Sequence, residues 1–301
     1  MAQAPQTTVQ DPINLMRGWP NPALLPIELI RQAANKALSN PTVATDGLLY
    51  GPDPGHEPLR HAVAQWLTSF YQPRPSSVTA DRICITGGAS QNLGCMLAVY
   101  TDPAYTRRVW VVAPAYMLAF RVFEDAGFGG KMTAVPEDEE GVDLAFLRRE
   151  MERSEEEARR KGVDRPVYKP ERKRAKVYKH VIYCVPTFAN PSSRTWSLAR
   201  RCEVVRLARE FDALVVADDV YDFLQWDASY DDAGWSERMQ SAHLPRLVDI
   251  DRSIDGGPER TDADGFGNAC SNGSFSKIGG PGLRVGWVEG TERFAYGVSQ
   301  T

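Results

Sequence analysis

Two rhythms of apolar and polar positions run along this chain. Residues 56–70 place Leu59, Val63, Trp66 and Phe70 at helical spacing. From residue 82 onward, short apolar runs alternate with helix-like stretches. The runs at 82–86, 109–112, 181–185, 214–217 and 284–288 predict strands, and 90–100, 115–126, 144–161 and 197–211 predict helices. Such alternation predicts an α/β protein: a mostly parallel sheet covered by helices on both faces, a three-layer α/β/α arrangement. The N-terminal part differs. Residues 1–46 are punctuated by proline around one short helical candidate at 26–38, and residues 47–55 are rich in turn formers.

Two stretches break the alternation. Residues 150–179 are dense in Arg, Lys and Glu; the first half extends a helix and the second half reads as a solvated surface loop. Residues 249–267 are rich in Asp and Gly and read as a mobile loop. Composition narrows the function classes. A 301-residue chain that is 43% hydrophobic can bury a large core. A net charge of −4 offers no general attraction to nucleic acid or an anionic membrane. Five scattered cysteines without a CxxC pair read as reduced thiols, and four histidines show no metal-ligand spacing. Residues 1–11 carry neither the apolar core of a secretory signal nor the arginines of a transit peptide, and no apolar run reaches membrane-spanning length. The expectation is a cytoplasmic protein without metal, nucleic-acid or membrane partners.

Candidate chemistry concentrates at Ser274-Phe275-Ser276-Lys277-Ile278-Gly279-Gly280-Pro281-Gly282-Leu283-Arg284-Val285-Gly286-Trp287. An exposed lysine amine, with a pKa near ~10.4, is a poor nucleophile at neutral pH. Partial desolvation beside other positive charge activates it toward an aldehyde. Arg284, Ser274 and Ser276 are donors suited to a phosphate. Residues 83–93 read as strand, small-residue turn and helix start, so Gly88, Ala89 and Ser90 offer backbone amides to an anion. Asp218 ends the apolar run 213–217, at the strand end where open α/β sheets place ligands. Each feature taken alone has an ordinary reading as well: a surface lysine, a strand-end arginine, helix-capping Asp218 and Asp219, an aromatic Tyr116 in the core, a loop turn at Asn190-Pro191.

In this order the segments resemble those of the class I/II aminotransferases, fold-type I pyridoxal phosphate enzymes. The lysine motif is most similar to that of aminoadipate, aromatic and broad-specificity members. The resemblance implies that Lys277 forms a Schiff base with pyridoxal 5'-phosphate and shuttles the substrate Cα proton. It implies that Asp218 keeps the pyridine nitrogen protonated, that Tyr221 and Asn190 contact the ring hydroxyl, and that Tyr116 stacks on the ring. Gly88, Ala89, Ser90, Ser274, Ser276 and Arg284 would hold the phosphate. Tyr50 would reach a neighbouring subunit's phosphate, which makes a homodimer with shared active sites. Residues 13–20 resemble the family's Gly-x-Pro segment, placing Gly18, with Asn190, near the substrate. The implied domains are an arm at 1–50, a cofactor-binding domain at 51–289, and the start of a truncated small domain at 290–301. The implied reaction moves an amino group from an amino acid to a 2-oxo acid. Two departures stand out: Ser193 replaces a usual glycine, and no arginine follows Arg293 to bind the substrate carboxylate. A β-lyase or decarboxylase of the same fold, or a catalytically impaired cofactor-binding subunit, are the alternatives.

Overall fold

A computed structural model describes residues 18–170, 172–224 and 241–301. Eight strands form one sheet: β1 (Ile83–Thr86), β2 (Arg108–Ala113), β3 (Met132–Asp138), β4 (Gly141–Val142), β5 (His180–Cys184), β6 (Ala213–Asp218), β7 (Ala269–Ser274) and β8 (Gly286–Glu289). Their order is β1-β8-β7-β6-β5-β2-β3-β4. The run β3, β2, β5, β6, β7 is parallel. Strand β8 is antiparallel to both neighbours and β4 closes one edge antiparallel to β3. Every residue of β5 and β6 is buried, as expected of central parallel strands covered on both faces.

Strand alternation sends successive side chains into different cores. Tyr183, Leu214 and Val216 pack with Met96 and Leu97 of the helix Ala89–Tyr100 and with Phe294 of the helix Glu292–Val298. Ile182, Val215 and Ala217 face the other way, toward Leu147, Val204 and Leu247 of the helices Leu144–Arg160, Leu198–Glu210 and Leu247–Ser253. A third cluster seats the helix Glu57–Tyr71 against Ile83 and Trp287. The three-layer α/β/α expectation therefore holds.

Several local expectations need correction. Strand β7, Ala-Cys-Ser-Asn-Gly-Ser, lacks the bulky β-formers that announce a strand, yet it is wholly buried. Its small side chains admit close neighbours: a Cβ on Gly273 would sit 2.1 Å from the Trp287 ring. Strand β3 was hidden by Pro136 and its charged end. The supposedly helix-poor N-terminal stretch holds a second helix, Pro41–Leu48, started by an Asn40 cap and Pro41. Residues 249–267 do not begin as a loop. Asp249 and Asp251 are buried near the helix Leu247–Ser253, paired with Arg246 at 2.9 Å and Arg209 at 2.8 Å. The charged stretch after Arg160 is pinned as well, since the Asp102 carboxylate accepts the N–H groups of Val167, Tyr168 and Lys169 at 2.6–3.0 Å. The predicted helix at 115–126 starts later, at Leu118, which leaves Tyr116 on the approach to it.

The helices Ile27–Leu38 and Pro41–Leu48 bury no residue at all. All five cysteines are free. Among the described residues no helix is long and apolar enough to cross a membrane, and no cluster of metal-ligating side chains occurs.

Candidate active site

The ends of β5, β6 and β7, the turn after β1 and the loop after β2 surround a cavity of about 630 Å³. Its walls include Gly18, Ala89, Ser90, Tyr116, Asn190, Asp218, Tyr221, Ser274, Ser276, Lys277 and Arg284. Most residues singled out from sequence are thus brought to one place. Residues 13–17 of the N-terminal motif lie outside the described residues, while Gly18 and the adjoining Trp19 reach the wall. Tyr50 is fully exposed and does not line the cavity.

One end of the cavity is built for an anion. Gly88, at φ +106°, turns β1 into the helix Ala89–Tyr100, a backbone conformation that a side chain would strain. A Cβ there would lie 3.4 Å from Arg284 Nη2 and 3.8 Å from Ser274 Oγ, so this turn, the guanidinium and the hydroxyl converge. The first helical amides have no intrahelical acceptor and present positive dipole ends. Arg284 takes a left-handed backbone (φ +51°), with Nη1 donating to the Pro281 carbonyl at 3.2 Å. Ser274 Oγ accepts from the Ser276 N–H at 3.1 Å and lies 2.9 Å from Ser276 Oγ.

Two asparagines lock this end, and sequence reading missed both. Asn92 Nδ2 donates to Asn272 Oδ1 at 2.7 Å and to the Trp287 carbonyl at 3.0 Å. Asn272 Nδ2 donates to the Ala89 carbonyl at 3.2 Å. The available signal was a polar residue on a core-facing helical position, four before buried Met96.

The other end is a buried acid. Tyr183 Oη donates to Asp218 Oδ2 at 2.7 Å. Asp218 Oδ1 is buried and has no hydrogen-bond partner among the described residues. Burial pushes the Asp218 carboxyl up to about 6; the Tyr183 hydrogen bond pulls down, nearby Asp222 pushes up, and Lys277 pulls down. Asn190 Nδ2 donates to Tyr221 Oη at 3.3 Å, and Lys277 Nζ lies 5.5 Å from the Tyr221 ring centre. Burial raises the Tyr221 phenol, against the Asn190 hydrogen bond. Ser193 adopts φ +59°, the left-handed conformation a glycine would favour, and donates its N–H to the Ala189 carbonyl at 2.5 Å. The Asn190 loop therefore closes despite the substitution. Buried Arg201 holds its approach through the Pro186 carbonyl and Thr187 Oγ1, both at 2.9 Å. Asp219 plays a supporting part, accepting from Ser271 Oγ at 2.5 Å beneath the site.

Pyridoxal phosphate fits this donor set. An anion cradle stands at one end, a lysine amine at the wall, and a buried carboxylate with one open oxygen suits a protonated ring nitrogen. The sheet order and its covering helices are those of the fold-type I pyridoxal phosphate fold. The chain belongs to the aminotransferase class I and II family, whose family model matches residues 11–300. An uncharacterized protein of Saccharomyces cerevisiae is 36% identical over 92% of this chain and 63% of its own length. Aromatic-amino-acid aminotransferase 1 of Thermococcus litoralis is 27% identical over 94% of this chain and 55% of its own. Among solved structures, the alpha-aminoadipate aminotransferase of Thermus thermophilus, complexed with N-(5'-phosphopyridoxyl)-L-leucine, superposes with a TM-score of 0.67. It is 27% identical over 94% of this chain and 57% of its own. The chain thus spans between half and two thirds of the length of these relatives.

Proposed function

We propose that this chain is the cofactor-binding part of a pyridoxal phosphate-dependent aminotransferase that moves an amino group between an amino acid and a 2-oxo acid. The observation that carries the reading is the shared cavity of Lys277, Asp218 and Arg284 in a chain of this family. When bound, the cofactor supplies a carbonyl that captures amines and a ring that accepts electrons from a breaking Cα–H bond. The residues divide the remaining labour. Arg284, Ser274, Ser276 and the amides of Gly88, Ala89 and Ser90 hold the phosphate. Asp218 Oδ1 holds a proton on the ring nitrogen. Asn190 and Tyr221 orient the ring hydroxyl, and Tyr116 covers a ring face. Lys277 Nζ, released by an incoming amine, removes the proton from substrate Cα and returns one as general base and acid. Gly18 and Asn190 flank the substrate.

The same reading assigns residues 1–50 to an arm, 51–289 to the cofactor domain, and 290–301 to the passage into a small domain. It also makes the protein a cytoplasmic homodimer. Supporting the dimer, Leu24, Leu48 and Tyr50 are 80%, 84% and 108% exposed, apolar side chains that a second copy would cover while bringing Tyr50 to its phosphate end. The test is a panel of amino acids offered to the pyridoxal phosphate-loaded protein with and without 2-oxo acids. New amino acid formed only when an oxo acid is present supports transamination. Pyruvate and ammonia released without one would replace it with β-elimination.

A further inference from the structure

We infer that Tyr183 is the positioning residue of the ring-nitrogen acid: it fixes Asp218 by one oxygen and leaves the other turned to the cofactor. The inference rests on the reading above that the cavity takes pyridoxal phosphate. Its basis is geometric. Tyr183 lies opposite Val216 in the β5–β6 ladder, and Val216 shares a sheet face with Asp218 two residues on. The phenol therefore reaches diagonally to Asp218 Oδ2, at 2.7 Å. Both side chains line the cavity and both are buried. Burial raises the Tyr183 phenol well above its ordinary value, so it stays neutral and can only donate to an ionised carboxylate.

The division between the two carboxylate oxygens follows. Oδ2 is satisfied inside the protein, while Oδ1 has no hydrogen-bond partner among the described residues. A buried carboxylate with neither oxygen satisfied would take up a proton, and a protonated carboxyl cannot balance a protonated ring nitrogen. Tyr183 thus keeps Asp218 ionised and aimed, without itself touching the reacting atoms. Other charged or titratable groups around Asp218 are Asp222 and Tyr221 beyond β6, Lys277 beyond β7, Cys184 on β5 and Tyr116 after β2. The substitutions below leave them all in place.

The experiment is the pH dependence of pyridoxal phosphate binding to the unloaded protein, by equilibrium dialysis, for wild type, Tyr183→Phe and Tyr178→Phe. Tyr178 is a matched control, also buried, whose hydroxyl donates to the Gly267 carbonyl at 2.6 Å. Phosphate and ring titrations are common to all three proteins and cancel in the comparison. Wild-type binding is expected to weaken as pH falls through about 6, where Asp218 takes up its proton. In Tyr183→Phe that midpoint moves up by roughly one pH unit, the scale of one hydrogen bond to a charged group, so binding weakens roughly twofold at pH 7 and roughly tenfold at pH 5. In Tyr178→Phe the midpoint stays, whatever happens to stability. An unmoved midpoint in Tyr183→Phe, or an equal move in Tyr178→Phe, overturns the inference. Should Tyr183→Phe not fold, 3-fluorotyrosine placed at position 183 serves instead. Its more acidic phenol must lower the midpoint, and an unmoved midpoint overturns the inference. No binding by folded wild type would overturn the cofactor reading itself, a result distinct from any failure of Tyr183 alone.

Discussion

Strands β5 and β6 and the helices at 27–48 are rich in the same apolar residue types, yet all of the first pair is buried and none of the second. Leu214 is 1% exposed and Leu48 is 84% exposed. The strands find cover within this chain, from helices on both faces of the sheet. The two helices find none among the described residues. The floor of the site, with Asp218 and Tyr183, is therefore built by the chain alone, whereas the helices at 27–48 leave their apolar side chains uncovered among the described residues. Floor substitutions should act on chemistry or folding, and substitutions on these helices on association.

The largest effect expected is at the cavity wall. Lys277→Ala should lower turnover by about a thousandfold or more while circular dichroism stays native, because the amine that carries the Cα proton is gone. Next, Leu214→Ala should cost roughly 2–5 kcal/mol in urea unfolding, the range for a truncated leucine in a filled core. Arg284→Ala should weaken pyridoxal phosphate binding by roughly 10- to 100-fold in a fluorescence titration, through loss of charge-assisted hydrogen bonds to phosphate. Asp218→Asn should act in two directions. The Asp218 carboxyl sits at about 6 when folded, above its ordinary 3.8, so the folded protein takes up this proton more readily than the unfolded chain. Stability from this group is full at low pH and falls as pH rises from about 4 through about 6. Without cofactor, Asp218→Asn should thus be the more stable protein at neutral pH, by about 1–3 kcal/mol, with the advantage fading toward low pH. The same variant should bind the cofactor more weakly. Smallest is Leu48→Ala, which should change unfolding by no more than ~0.5 kcal/mol in dilute protein yet shift the sedimentation profile toward monomer. A core-sized stability loss there would break the contrast between the buried strands and the exposed helices.

Much of this was legible in sequence where local chemistry is distinctive. Lys277 stands in a run of hydroxyls and glycines, and Asp218 interrupts an apolar strand; both patterns are short-range and survive in one dimension. Tyr183 was invisible because it reads as apolar filler, and its role exists only through the register that sets it opposite Val216. Asn92 and Asn272 are 180 positions apart, and each looks unremarkable without the other. Strand β7 escaped because its small residues serve the close approach of Trp287 rather than packing of their own. Helix Leu247–Ser253 escaped because Asp249 pairs with Arg246 at the helix's own N-cap and Asp251 with Arg209 from the distant helix Leu198–Glu210, so an acidic stretch could be buried.

On the proposed reading, Lys277 captures the cofactor carbonyl while Arg284 and the turn at Gly88 hold its phosphate. Mixing purified protein with pyridoxal 5'-phosphate, reducing with borohydride and mapping the tagged peptide by mass spectrometry tests it directly. A visible absorbance band should form and vanish on reduction, leaving one phosphopyridoxyl group on Lys277, with excess inorganic phosphate suppressing the labelling. Folded protein that gains no band, or carries its tag scattered over surface lysines, would contradict it.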